Sequence, residues 1–236
     1  MFLRCKMKYL FRRMDVSIFK QLHSSIPQRT PFEKIVEMIK TSRLLKEYTE
    51  EARDLYAAGD KEKGDSIKKN LLPAFAPAGF LLDGKGRENL IGLTGICFID
   101  IDHVTEEQVD ASMDILRSDE NVILAARSIS GKGLHILIPY SLWRKDSFEQ
   151  LPATPGRMNQ IYGSVFKSTA AHYSEILGVQ IDKSAENAER LCLVSYDANA
   201  WYNPSAKPII YCYEHQKSGR KPKRFSVYED CSDIHE

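Results

Sequence analysis

The feature that most constrains this chain is an order of elements between residues 95 and 196. After Gly95 comes Ile96-Cys97-Phe98-Ile99-Asp100-Ile101-Asp102, an apolar run that ends in acid and reads as a buried strand. Thr105 then offers an N-cap, Glu106 and Glu107 an acidic first turn, and Val109, Met113 and Leu116 an apolar stripe. Together they predict a helix to Arg117. Asn121 to Arg127 and Leu134 to Tyr140 read as a second and a third strand, joined by the tight link Ser128 to Gly133. Pro155-Gly156 precedes a long helix over about 157–177 with Gly178 as a C-cap, and Leu191 to Tyr196 reads as a fourth strand. The order β-α-β-β-α-β predicts an α+β protein with an RRM-like core and an antiparallel sheet. In that topology the first and third strands are the central pair and the fourth flanks the first. Residues far apart in sequence then meet at one rim of the sheet.

The flanking segments are more conventional. Residues 31–72 read as helical, with Thr30 as cap and Pro31 at the first helical position. Ile35, Val36, Met38, Ile39 and Leu44 give the first spacing, and Tyr48, Leu55 and Ile67 predict two further short helices separated near Gly59 and Asp60. Pro73 and Pro77 mark a boundary, residues 78–94 read as loop or short hairpin with Arg87 exposed, and Pro208 to Tyr213 as a fifth strand. The expected division is a helical region over 1–77, a core over 78–214 and a polar tail over 215–236 with the basic cluster Lys217, Arg220, Lys221, Lys223 and Arg224.

Composition narrows the partners. Lys+Arg is 33 against Asp+Glu 32, a net charge of +1, so no global basic field draws in nucleic acid and local patches must hold any such partner. The cysteines Cys5, Cys97, Cys192, Cys212 and Cys231 are scattered, without a C-x-x-C pair, which argues against a disulfide framework or a structural zinc site. Cys97 and Cys192 sit in apolar runs as buried free thiols, and a reduced, cytoplasmic setting is expected. Charges interrupt every apolar stretch of the basic start, and no run long enough for a membrane helix follows.

Two constellations carry chemistry. Asp100 and Asp102 are two apart on a strand, so they share a face about 6.6 Å apart along the chain. Like charges so placed repel and favour a cation between them. Oxygen ligands in an open site suit Mg²⁺ or Mn²⁺, and Asp182 is positioned to supply a third carboxylate. The second is Ser128-Ile129-Ser130-Gly131-Lys132-Gly133-Leu134-His135. Here glycines allow close backbone approach to an anion while Ser130 and Lys132 add a hydroxyl and a charge. The G-x-x-x-x-G-K-[ST] spacing is absent, so this is not a Walker A loop. Alone, an Asp-x-Asp pair is more often a turn or cap, and a Ser-Gly-Lys-Gly link an ordinary hairpin. Convergence on one rim is what points to phosphate. His103 is expected to face away.

The pattern h-D-h-D, then S-G-K-G-x-H, then a lone Asp before an Arg-containing strand resembles the archaeo-eukaryotic primase (primase-polymerase) superfamily. More closely it resembles the VirE N-terminal domain family of bacterial mobile elements. The segments that carry the likeness are Lys68-Lys69 through Phe75, Gly95 through Asp102, Ser128 through His135, and Asp182 through Pro204, with Arg190-Leu191-Cys192, Ser195-Tyr196-Asp197 and Tyr202-Asn203-Pro204 in the last. The resemblance implies template-directed nucleotidyl transfer with two divalent metal ions held by Asp100, Asp102 and Asp182. It implies that Ser130, Lys132 and His135 grip the triphosphate, that Arg190 and Ser195 line the nucleotide pocket, and that a separate helicase or ATPase opens the duplex. Single-stranded DNA template would be held by basic and aromatic groups, with Arg87, Trp201, Tyr202 and the 217–224 cluster as candidates. Two other readings stay open: a catalytically inactive nucleic-acid or nucleotide-binding module on the same fold, and a different phosphoryl-transfer enzyme such as a nuclease or nucleotide cyclase.

Overall fold

The computed structural model describes residues 14–144, 155–213 and 227–228. The chain start and the basic cluster at 217–224 lie outside them. The described residues form a mixed fold of five α-helices and largely antiparallel sheets, in the α+β class. Strands β1 (Asp15–Phe19) and β2 (Gln28–Pro31) precede helices α1 (Phe32–Thr41), α2 (Arg43–Ala57) and α3 (Lys61–Asn70). Strands β3 (Ala74–Ala76), β4 (Gly79–Leu81), β5 (Leu90–Leu93) and β6 (Ile96–Ile101) follow, then α4 (Glu106–Ser118), β7 (Leu124–Arg127) and β8 (Leu134–Arg144). Helix α5 (Pro155–Leu177) leads to β9 (Cys192–Leu193), β10 (Trp201–Tyr202), β11 (Ile209–Tyr213) and β12 (Val227–Tyr228).

The local rules that predicted the helices operate with small shifts. Pro31 is the extended residue before α1 rather than its first turn, and Phe32, Ile35, Val36 and Ile39 form the buried stripe. Ser42 caps α2 by accepting from the Leu45 N–H, and Asp60 caps α3 by accepting from the Lys63 N–H. Thr105 and Gln108 close a reciprocal capping box on α4. Gly64 sits where a Cβ would lie 2.5 Å from the Tyr56 ring, so glycine lets α3 approach α2 closely.

The principal sheet runs β10-β7-β8, with β6 on the other side of β8. Asp100 pairs with His135, and His135 with Ala126, so these residues stand abreast on three adjacent antiparallel strands. Beyond Pro139 the long β8 pairs instead with β11, and that pairing is parallel, which departs from a sheet antiparallel throughout. The reason is continuity: β10 runs beside β7, the Lys207 N–H still bonds to the Glu120 carbonyl, and the chain then moves up to β8 where β7 has ended. One face of the sheet, with Cys97, rests on α5. The other, with Phe98, Leu124 and Leu137, looks toward the N-terminal helices, where Tyr202 meets the Phe32 ring edge-on at 6.3 Å.

The predicted fourth strand is corrected. Residues 191–196 do not flank β6; β9 pairs with β3 in a second sheet of order β2-β1-β3-β9. Onward from β9 the chain is held by the N-terminal helices, through the Tyr196 N–H to Thr49 Oγ1 and the Asp197 N–H to the Ile39 carbonyl. The outer edge of β6 is satisfied by single bonds instead. The Phe98 N–H donates to the Tyr162 hydroxyl, and the Asp100 carbonyl accepts from the Asp182 N–H at 2.9 Å. The N-terminal region also contains strands as well as helices, and residues 78–94 form the β4–β5 hairpin. Buried apolar residues from Met14 to Tyr211 form one cluster. No helix among the described residues is long and apolar enough to cross a membrane.

Candidate functional site

Strand β6 delivers Asp100 and Asp102 to its C-terminal end, and the backbone bond from Asp182 to the Asp100 carbonyl brings the third acid alongside. One carboxylate oxygen from each of Asp100, Asp102 and Asp182 lies within 4.8 Å of the others. Their exposures differ. Asp100 is 7% exposed, Asp182 half-buried and Asp102 exposed. Asp100 Oδ1 is fully buried and has no hydrogen-bond partner; His135 Nε2 stands 3.6 Å away, too far for a good hydrogen bond. A buried, unpartnered carboxylate oxygen is costly in any protein. Burial, and then the Asp102 charge, push the Asp100 carboxyl up to about 7. Burial likewise pushes the His135 imidazole down to about 4. At neutral pH His135 is therefore neutral, and the pair is not an ion pair. Burial alone would raise Asp182, but the Ser184 hydroxyl and N–H and the nearby Arg190 together hold it below the ordinary value. An all-oxygen donor set with one orphaned buried oxygen fits a hard divalent cation such as Mg²⁺ or Mn²⁺.

Asp100 and Asp102 line a cleft of about 1050 Å³, and Asp182 stands beside them. Its lining carries Arg53, Lys61, Lys68, Lys69, Lys132 and Arg190 against Asp65, Asp100, Asp102 and Glu189, so the chain's near-zero net charge hides a local excess of positive charge around the acids. Lys68 stands close enough for its charge to act on both Asp100 and His135. Arg190 Nη2 lies 3.9 Å from Asp182 Oδ2.

The Ser128–Gly133 link closes as a turn, with the Ser128 N–H donating to the Gly133 carbonyl and Gly131 at φ +74°. Its glycines have internal reasons to be there. Gly131 occupies the left-handed region, and a Cβ at Gly133 would lie 2.2 Å from the Ile101 carbonyl oxygen. Ser130 Oγ accepts from the Lys132 N–H and meets Ser128 Oγ at 3.2 Å, while the Lys132 side chain is exposed on the cleft wall. Arg53 of α2 fastens this loop by donating from Nε to the Ile129 carbonyl and from Nη2 to the Ser128 carbonyl. Gly133→Ala is expected to push β6 and β8 apart at the carboxylates and to cost about 1–3 kcal/mol of stability, measurable by urea unfolding.

Asp100, Asp102, Asp182, Ser130, Lys132, His135 and Arg190 are thus brought together. His103 also reaches the cleft, in the left-handed region at φ +59°. Four predicted residues are placed elsewhere. Ser195 is buried and gives its hydroxyl to the Arg127 carbonyl, because its segment threads between the N-terminal helices and β7. Arg87 is exposed on a 3-10 turn between β4 and β5. Trp201 and Tyr202 are half-buried on the edge strand β10, and neither lines the cleft. Sequence reasoning missed the cleft wall formed by α2 and α3. The pair Lys68-Lys69 stood within a matched segment without a role, and Arg53 and Lys61 gave no local signal.

No curated protein and no solved structure matches the chain. A family model described as BT4734-like, N-terminal domain, matches residues 66–202. That span runs from within α3 to the end of β10, takes in the three acids, the Ser128–His135 segment and Arg190, and is more than half of the chain. The chain belongs to the BT4734-like N-terminal domain family.

Proposed function

We propose that this protein is a nucleotidyltransferase of the primase-polymerase type, adding nucleotides on a single-stranded DNA template in the replication of a bacterial mobile element or phage. One observation carries the reading. Three carboxylates converge, the most buried with an unpartnered oxygen, and two of them line a cleft in which lysines and arginines outnumber acids. A module that only bound phosphate would gain nothing from an acidic floor, since it repels its own ligand. The order of β6, β8 and β7 with helices α4 and α5 supports an RRM-like core, in which the Asp182 segment takes the place beside β6 that a fourth strand would hold.

Asp100, Asp102 and Asp182 would hold Mg²⁺ or Mn²⁺, two ions on the primase-polymerase reading, which when bound supply activation of an attacking hydroxyl and charge neutralisation on the triphosphate. The chain's own residues position and discriminate. Lys132 and Arg190 bring positive charge to the phosphates, Ser130 offers a hydroxyl, and His135, being neutral, serves as a hydrogen-bonding group rather than a cation. His135 stands beside Asp100 because strand pairing puts it there, so any shift in β8 register displaces both the acid floor and the phosphate wall. The chain has no Walker A loop, and a separate helicase or ATPase is the partner this activity calls for. A reduced, cytoplasmic setting fits the free buried thiols of Cys97 and Cys192.

The reading is tested by titration calorimetry with Mn²⁺ together with product analysis on labelled nucleotides and single-stranded DNA. Extended strands with metal binding support it. A cyclic nucleotide or shortened DNA moves the activity to a cyclase or nuclease, and strand binding without metal binding moves it to the inactive binding module.

A further inference from the structure

We infer that the face of α3 bearing Lys61, Lys68 and Lys69 is the track on which a single-stranded polynucleotide lies, leading from the three carboxylates outward along the cleft. The inference rests on the nucleotidyltransferase reading for the identity of its ligand, but the surface stands by itself. Lys61, Asp65, Lys68 and Lys69 all line the cleft. Spaced i, i+4, i+7 and i+8, they fall on one side of a helix with 3.6 residues per turn. The opposite side is different: Lys63 is ion-paired with Asp60 at 2.6 Å and faces away from the cleft. Asp65, the only acid on the cleft face of α3, is engaged by the Tyr56 hydroxyl at 3.0 Å. Lys61, Lys68 and Lys69 have no ion pair among the described residues; Lys61 and Lys69 are exposed and Lys68 half-buried.

The length of the row decides between a nucleotide and a strand. Lys68 is the inner member, since its charge acts on Asp100 and His135. Lys61 is two turns away, about 10.5 Å along the helix axis. A mononucleotide whose phosphates meet the carboxylates reaches Lys68 and leaves Lys61 unused. A chain of phosphates continuing out of the site engages the whole row. The packing holds the row in place: Gly64 seats α3 against Tyr56 of α2, and Arg53 of α2 is bonded to the Ser128–Gly133 loop. The track and the acidic floor are therefore parts of one frame. The residues first expected to bind the strand, Arg87, Trp201 and Tyr202, lie outside the cleft.

The experiment is anisotropy titration of a labelled single-stranded DNA oligonucleotide with the full chain, free of divalent metal and nucleotide, over a range of salt. Each phosphate contact to a single strand contributes about 0.7 to the slope of log K against log salt. Lys61→Ala/Lys68→Ala/Lys69→Ala is expected to flatten that slope by about 2 and to weaken binding roughly a hundredfold at 0.1 M salt. The triple Lys→Arg variant is expected to retain binding, and Lys63→Ala to leave it unchanged. Asp100→Ala/Asp102→Ala is expected to bind the strand as well as the native chain or better, so the track survives even if no polymerase activity is found. Unaltered affinity and slope in a triple alanine variant that melts like the native chain would overturn the inference. So would loss of ATP binding with strand binding intact, which would assign these lysines to the triphosphate instead.

Discussion

Asp100→Asn is expected to lower nucleotide incorporation by at least about 10²–10³-fold, the loss seen when one preorganised charge-stabilising group is removed from an active site. The fold is expected to remain intact. Asparagine keeps the shape of the side chain and its place opposite His135 on β8 while removing a charge that is 7% exposed and has one oxygen without a partner. Ionised Asp100 weakens the metal-free protein, so removing its charge relieves a cost rather than leaving a gap. Activity and stability should therefore move in opposite directions, and a single-turnover assay beside a thermal melt checks both. A variant that lost activity because it unfolded would lower both.

The second large effect is a pH-dependent stabilisation by divalent metal. The Asp100 carboxyl is raised to about 7 in the fold against about 3.9 in an unfolded chain. A raised carboxyl contributes stability that is fully present below the unfolded value and is lost as pH rises through the folded one. Between pH 6 and pH 8 that loss amounts to about 1.4 kcal/mol, one proton over roughly the one pH unit below the midpoint, the curve flattening above it. For a chain of this size it is roughly 3–5 °C in melting temperature. His135 works in the opposite direction: lowered to about 4, its contribution is complete well above about 6.5 and is reduced by about 0.8 kcal/mol at pH 6. The metal-free chain therefore shows only the difference of the two, whereas the effect of added metal isolates the Asp100 part. Saturating Mn²⁺ is expected to replace the proton and abolish the fall, so that metal raises the melting temperature more at pH 8 than at pH 6. In Asp100→Asn this difference between the two pH values should disappear. Equal stabilisation at both values in the native chain would mean that the cation sits elsewhere.

What the sequence could foretell follows from how far each signal reaches. Helices α1, α4 and α5 and strands β6, β7 and β8 were legible because periodicity, caps and the Gly-rich link are local. The end of β6 was placed beside the start of β8, but the pairing of Asp100 with His135 itself was not legible, since a slip of two residues keeps the same faces. The partner of residues 191–196 was not legible. Their pattern reads as strand, but β3, the strand they join, is only three residues long and was masked by the prolines around it. Nor could spacing place Ser195, whose hydroxyl is spent on the Arg127 carbonyl, or Trp201 and Tyr202, which the turn after Asp197 lays along the outer edge of β7. The basic wall was missed for the same reason. Lys61 and Lys68 look like solvated charges on a surface helix until Gly64 and Arg53 show which way that helix is turned.

Nucleotide transfer at the Asp100, Asp102 and Asp182 cluster is decided by incorporation of labelled nucleotides on a single-stranded DNA template with Mg²⁺ or Mn²⁺, comparing the native chain with Asp100→Ala/Asp102→Ala. Products that lengthen with the native chain and vanish with the double variant, while strand binding persists in both, are the predicted result. Strand binding by the native chain with no product under any metal, primer or nucleotide condition would contradict the claim and leave a binding module in its place.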